Sequence, residues 1–292
     1  MNNFHNIKCK ICGGSNPNLH LEKDGYQIVK CTVCSTVFLN HNADEASLRS
    51  FYSAEYFQAG SDSRGYENYE ACENFLTVNF QRRIRQLGRF VPSGRVLDIG
   101  CGYGFFLKAL GPNYAGTGID VSPHAVSIAR EKYGLDARMG PLEKGMFPDG
   151  HFSLVTMWDA IEHLSDPKET LKIVHDILQD GGMCVIVTGN VDSLMAKICG
   201  RRWHLYTLPE HLWFFSNETL TNLLENNGFR IVKMNNDLCC YSLDYLFERI
   251  MKTFLNSSWA DQEYPLKSIL TKLIIPFSLF DLSYVLCQKQ GS

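Results

Sequence analysis

The chain has 292 residues, a net charge of −3 and 45% hydrophobic residues, an ordinary soluble composition that supports a sizeable core. The slight acidity argues against the basic face of a nucleic-acid binder, so no nucleic-acid partner is expected. Met1 to Lys10 lacks the apolar core of a signal peptide, and Lys272, Pro276 and Asp281 interrupt the most apolar tract, so the eleven cysteines read as reduced, cytoplasmic usage.

Two cysteine pairs come first, Cys9-Lys10-Ile11-Cys12 and Cys31-Thr32-Val33-Cys34, spaced C-x2-C-x18-C-x2-C. Each pair turns the backbone so that two thiolates face one ion, a spacing that builds tetrahedral zinc sites. Between them an alternating stretch, Leu19 to Lys30, carries Asp24-Gly25 where a hairpin would turn. Residues 1–40 therefore read as a zinc ribbon, with Cys9, Cys12, Cys31 and Cys34 closing around one structural Zn2+. Redox-active C-x-x-C chemistry is the alternative, without the strand–helix setting it needs. Residues 41–90 follow as linker and helix. Asn40 to Ser63 is polar, punctuated by Phe51, Tyr52, Tyr56 and Phe57. From Tyr66 to Phe90, apolar residues at 75, 76, 80, 84 and 87 recur at helical spacing.

Next an apolar strand, Arg95 to Ile99, runs through Asp98 into Gly100, Gly102 and Gly104, and an apolar helix begins. Such glycines let backbone approach a ligand closely, and the helix start offers unpaired N–H groups to an anion. About 20 residues on, where a dinucleotide fold keeps its ribose-binding acid, Tyr114 to Asp120 is a second strand ending in a carboxylate. A dinucleotide site wants a third glycine where Phe105 stands.

The D-x-G-x-G-x-G pattern resembles instead the class I S-adenosylmethionine (SAM)-dependent methyltransferases, from about Val91 to Val232. The resemblance implies a doubly wound, Rossmann-like α/β sheet of seven strands with the last antiparallel. It places Gly100, Cys101, Gly102 and Gly104 along the methionine part of SAM and Asp98 at its amino end. It gives Asp120, beside Val121, the ribose hydroxyls. The leading helical segment becomes a lid, with Tyr56 and Tyr69 as aromatic candidates for contact with the sulfonium.

Ser122-Pro123 opens a helix to about Tyr133, as N-cap and first helical residue. Leu135 to Met139 is a third strand. By the resemblance the next loop, 140–143, lies along the adenine, with backbone near Leu142 as the contact. His151 to Trp158 is the fourth strand and leads into Asp159-Ala160-Ile161-Glu162-His163. Ligands of open parallel sheets sit beyond the strands' carboxyl ends, which puts Trp158, Asp159 and His163 beside the transferable methyl. His163 is a candidate base or a packed histidine. Asp166-Pro167 starts a helix expected to end at Gly181-Gly182, before a fifth strand, Met183 to Thr188. Ser216 caps a helix stopped by Gly228, Phe229 to Met234 is strand six, and Ser283 to Gln288 is the last.

Two segments remain for the substrate. Loop 189–215 is longer than a routine strand–helix link. It sets Arg201 and Arg202 beside Trp203, Tyr206, Trp213, Phe214 and Phe215, suited to a ring-shaped or phosphorylated acceptor or to the packing of a flap. Its Pro209-Glu210-His211 resembles a motif of sugar C-methyltransferases, where a Glu-His pair assists deprotonation. The motif's tyrosine stands closer than Tyr206 does, and those enzymes' second half has no counterpart here. His211, Glu210 and His163 are the catalytic candidates. Insertion 235–282 carries apolar helical patches expected to cover the substrate side or to touch a membrane surface. The methyltransferase domain spans 91–292. The expected activity is methyl transfer from SAM to an oxygen or carbon of a small molecule, a sugar or sugar-nucleotide type first. O-methylation of a phenolic or quinone-like ring, an adaptor with a non-catalytic SAM site, and RNA methylation are the alternatives.

Overall fold

The computed structural model describes residues 7–40, 69–247 and 267–291; Tyr56 and most of the linker lie outside them. Strands β1 (Asn18–Lys23) and β2 (Tyr26–Lys30) form the expected hairpin. Asp24 and Gly25 take φ of 51° and 80°, the left-handed pair that a two-residue turn requires. Strand β3 (Val37–Leu39) continues the ribbon antiparallel to β2.

Helix α1 (Glu73–Leu87) follows a 3-10 turn at Glu70–Cys72. It buries Phe75, Asn79, Phe80, Arg83 and Leu87 on one face, the stripe that its helical spacing creates. Strand β4 (Gly94–Ile99) enters the glycine loop, and α2 (Phe105–Ala109) leaves it. Gly111-Pro112 ends α2 early, because the residue before a proline resists the α conformation. Then come β5 (Tyr114–Asp120), α3 (Pro123–Ser127) with a π-turn to Lys132, and β6 (Ala137–Met139). Ser122 Oγ accepts from the Ala125 amide, the cap that the sequence signals.

Strand β7 (Phe152–Trp158) is buried at every position, as a central parallel strand must be. Helix α4 (Pro167–Ile177) ends earlier than its glycines suggest. Leu178 already pairs with Phe152, so β8 (Leu178–Gly189) is longer than expected and takes Gly181-Gly182 inside itself. The register with β7 shifts there, and Gly181 holds φ of 72°.

The substrate loop is not structureless. It contains α5 (Leu194–Cys199) and β9 (Trp213–Phe214). Strand β9 pairs with β3, Val37 against Phe214 and Phe38 against Trp213, and so becomes the fourth strand of the ribbon sheet. Helix α6 (Asn217–Glu225) begins in a capping box at Ser216 and Thr219. Strand β10 (Phe229–Asn236) precedes the insertion, whose described parts are β11 (Cys239–Ser242), α7 (Lys267–Leu270) and β12 (Ile274–Phe277). Among the described residues the insertion has helix at 243–247 and Lys267–Leu270, as expected, and adds this small antiparallel pair of strands. Strand β13 (Leu282–Lys289) closes the chain, antiparallel to β8 and β10.

The main sheet runs β10-β13-β8-β7-β4-β5-β6, seven strands with the last in sequence antiparallel, as the resemblance implies. Strand order reverses between β4 and β7, and ligands bind such sheets beyond the carboxyl ends at that switch point.

Candidate active site

A cavity of about 660 Å³ opens at the switch point. Its cofactor end is built from the tips of β4 and β5. Gly100, Gly102 and Gly104 hold φ of 73°, 53° and 82°, conformations that side chains other than glycine resist. A Cβ on Gly100 would meet Ala160 at 2.8 Å and one on Gly104 would meet Leu135 at 2.4 Å. Gly100, Cys101 and Gly102 line the cavity, whereas Gly104 starts α2 behind it.

Asp120 Oδ2 accepts from the Gly102 amide at 2.8 Å and Oδ1 from the Ser122 amide at 2.9 Å. The carboxylate therefore fixes the loop, and Asp120 lines the cavity. Asp98 accepts from Thr156 Oγ1 at 2.7 Å, and burial pushes its carboxyl up to about 8. Tyr69 lies over the loop, stacked on Phe105 with ring centroids 5.1 Å apart. Val121 and Leu142 complete the lining at this end. These residues fit SAM: two carboxylates for its hydroxyl and amino groups, and bare backbone where the chain must approach it.

The opposite end is built by the tip of β7 and the substrate loop. Trp158, Asp159, Glu162, His163 and His211 all line it. Asp159 holds a left-handed φ of 50°, a conformation that among side chains favours asparagine, aspartate and histidine. Burial lifts Asp159 to about 6 and Glu162 to about 8, and the latter accepts from Thr188 Oγ1 at 2.8 Å. The rings of His163 and His211 meet edge to face, 4.6 Å between centroids. His163 Nδ1 bonds the Glu210 carbonyl at 2.9 Å and His211 Nδ1 the Leu205 carbonyl at 2.8 Å. A carbonyl only accepts, so each Nδ1 carries the proton and each Nε2 is the acceptor nitrogen. Burial lowers His163 to about 4 and His211 well below its ordinary value. Both are neutral at pH 7. Ligand-type atoms of Glu162, His163 and His211 lie within 4.8 Å of one another, a cluster that can relay a proton or hold a cation.

Several residues stand elsewhere than expected. Glu210 is 8% exposed and outside the cavity lining, and its main-chain carbonyl accepts from His163 Nδ1. Trp203, Tyr206 and Phe214 are buried in one apolar cluster of the loop and ribbon, and Trp213 and Phe215 in the main core. The cavity's aromatic wall comes instead from Phe75 and Phe80 of α1, Trp158, and Tyr241 and Tyr245 of the insertion.

The sequence reading also missed Arg83 and Asp237. Arg83 is 4% exposed, ion-pairs with Asp237 of the insertion, and stacks over Trp158 at 4.7 Å. Its place on the apolar stripe of α1, three residues after Phe80, was the available signal. Asp237 offered none.

The four ribbon cysteines converge. Cys9 and Cys34 sulfurs are 3.7 Å apart and those of Cys12 and Cys31 3.5 Å, all four within 4.8 Å. A tetrahedral zinc with Zn–S near 2.3 Å sets its sulfurs roughly 3.8 Å apart, so the donor set and spacing fit that ion.

A profile described as methyltransferase domain matches residues 69–234. The ubiquinone biosynthesis O-methyltransferase of Dinoroseobacter shibae is 33% identical over 152 residues, 47% of this chain and 60% of that protein. The protein of the same name from Bordetella avium is 30% identical over 182 residues, 58% of this chain and 72% of that one. Among solved structures, a SAM-dependent methyltransferase of Thermotoga maritima superposes with a TM-score of 0.52 at 20% identity, over 77% of this chain and 95% of that one. One from Archaeoglobus fulgidus gives 0.51 at 23%, over 74% and 97%. These two carry the fold alone.

Proposed function

The chain belongs to the class I SAM-dependent methyltransferases, and from that premise we propose that it methylates a hydroxyl oxygen on the ring of a small phenolic or quinol-type molecule. The observation that carries this reading is the juxtaposition of a neutral histidine pair with an aromatic wall in one cavity. The ubiquinone O-methyltransferases among the relatives favour a ring hydroxyl over the sugar acceptor expected first from sequence.

SAM supplies a methyl group that its sulfonium makes electrophilic. The protein's work is to align the acceptor oxygen and to take its proton. Phe75, Phe80, Tyr241 and Tyr245 offer apolar faces that orient a ring and exclude water. His211 accepts the proton at Nε2, with its ring held by the Leu205 carbonyl. Burial makes it a weak base for bulk water, and a phenol gives up its proton more readily than an alcohol, which further favours a ring hydroxyl. Asp98 and Asp120 hold the cofactor end. The membrane contact expected of 235–282 belongs to the same proposal, supported by the exposed Leu238, Leu273, Ile275, Phe277 and Phe280 of that segment. Among the described residues no helix is long and apolar enough to cross a membrane.

The test is incubation with methyl-labelled SAM and catechol as probe, with mass-spectrometric detection of the methyl ether. His211→Ala should keep SAM affinity within about twofold and lower turnover by a factor on the order of 10²–10⁴. A variant that keeps turnover and raises only the acceptor KM would make His211 a binding residue.

A further inference from the structure

The ribbon and the catalytic loop share a sheet. Cys31 to Cys34 forms one knuckle of the cysteine site, with the Cys31 amide donating to the Thr36 carbonyl at 2.9 Å and the Thr36 hydroxyl 3.3 Å from Cys34 Sγ. Strand β3 starts at the next residue, so the knuckle sets where β3 lies. Strand β3 in turn carries β9, and the Leu39 amide donates to the Leu212 carbonyl at 2.9 Å. Phe38 and Trp213 pack with ring centroids 5.7 Å apart.

From β9 the connection reaches the chemistry in one residue. The Leu212 amide donates to the Glu162 carbonyl at 2.8 Å, and Trp213 Nε1 donates to the Leu164 carbonyl at 2.7 Å. The segment just before them presents the Glu210 carbonyl to His163 and the His211 ring to the cavity. The first knuckle touches the same region, where Lys10 Nζ donates to the Ser165 carbonyl at 3.2 Å. Cys9, Val29, Cys31 and Phe38 belong to one apolar cluster with Ile161, Trp213 and Phe215. A two-residue strand cannot hold its own register, so β9 depends on these two neighbours. One of them is the ribbon, which is itself small enough to depend on its metal.

We propose that the four-cysteine ribbon is a positioning element of the methyl-transfer site: through β3 and β9 it fixes His211 against His163, so loss of the ribbon metal slows methyl transfer while SAM still binds. Among the described residues no ribbon residue lines the cofactor end, whose lining comes from β4, β5, the loop after β6 and the helical segment before β4. The proposal rests on His211 as the acting base and extends that reading to what holds it in place.

Two variants of the full chain test it. Cys12→Ser removes an exposed thiolate and with it the closed metal site. Phe38→Leu leaves all four ligands and loosens the contact with Trp213. Each is measured for zinc content, SAM affinity by calorimetry, imidazole nitrogen NMR of His163 and His211, amide exchange at Leu212 and Trp213, and turnover of catechol. Cys12→Ser is expected to lose zinc, keep SAM affinity within about twofold, shift both imidazole signals, speed exchange of the two amides and lower turnover at least tenfold. Phe38→Leu is expected to keep zinc and show a smaller change of the same kind. Unchanged imidazole signals in zinc-free Cys12→Ser overturn the proposal. So does a collapse of SAM affinity in step with turnover, which would make the ribbon a support for the whole fold. If the imidazole signals respond as expected and no form of the protein methylates catechol, the coupling stands and the ring-hydroxyl reading fails.

Discussion

Asp120 spends both carboxylate oxygens on the Gly102 and Ser122 amides before any ligand arrives. That preorganisation gives it a role beyond the proposed ribose contact. Asp120→Ala removes a charge-assisted acceptor worth roughly 1.5–3 kcal/mol and frees the glycine loop, so SAM affinity should fall about tenfold or more by calorimetry. Unchanged binding would take the cofactor away from this end of the cavity. Asp98 adds a pH dependence. Burial raises it to about 8, so the free protein holds its proton at pH 7. The cationic amino group of SAM favours the carboxylate, and binding must then expel that proton. Affinity should rise as pH approaches 8. It should decline above, where an α-amino group of pKa near 8 begins to lose its own charge. Calorimetry in two buffers of different ionisation enthalpy should show proton release at pH 7, and no release there would mean that Asp98 stays neutral beside the bound cofactor.

At the scale of elements, what could be read in the sequence was whatever is local. The strand–glycine–helix unit, the Asp24-Gly25 turn and the caps at Ser122, Asp166 and Ser216 each depend on a few adjacent residues, and each formed. The Gly181-Gly182 pair misled because the pairing of Leu178 with Phe152 outweighs a helix-stop signal. Pairing of β3 with β9 joins residues far apart in the chain, and a two-residue strand leaves no periodicity to read. The aromatics of the loop look the same in sequence whether they line a cavity or pack beneath it, and here they pack. Arg83 of α1 and Asp237 of the insertion form another such long-range pair. The Asn79 side chain adds two bonds from the same helix to the main chain of Cys240, at 2.8 Å and 2.6 Å. Asp237→Ala would leave a buried guanidinium unpaired, at a cost of about 3–5 kcal/mol. A denaturation midpoint unchanged in that variant would show that the ion pair adds nothing to what the Asn79 bonds and packing already hold.

Across the whole molecule, the ribbon and the α/β body meet through a shared strand and a shared apolar cluster rather than through a linker. Units joined in that way unfold together, whereas tethered ones melt separately. SAM binds the body, and a ligand that binds only the native state stabilises it by about 2.7 kcal/mol at 100 times its Kd. For a chain of this size that gain raises the midpoint by roughly 3–6 °C. If the two units are one cooperative structure, the ribbon feels the same gain without touching the ligand. Release of the ribbon metal, followed with a chromogenic chelator during heating, should therefore move upward by the same interval as tryptophan fluorescence when SAM is added. The metal reports on Cys9, Cys12, Cys31 and Cys34, and fluorescence reports on the four tryptophans, among them Trp158, Trp203 and Trp213 in the body and at the seam. Metal release at an unchanged temperature, with only the fluorescence transition displaced, would show that the seam at β3 and β9 opens before the sheet does.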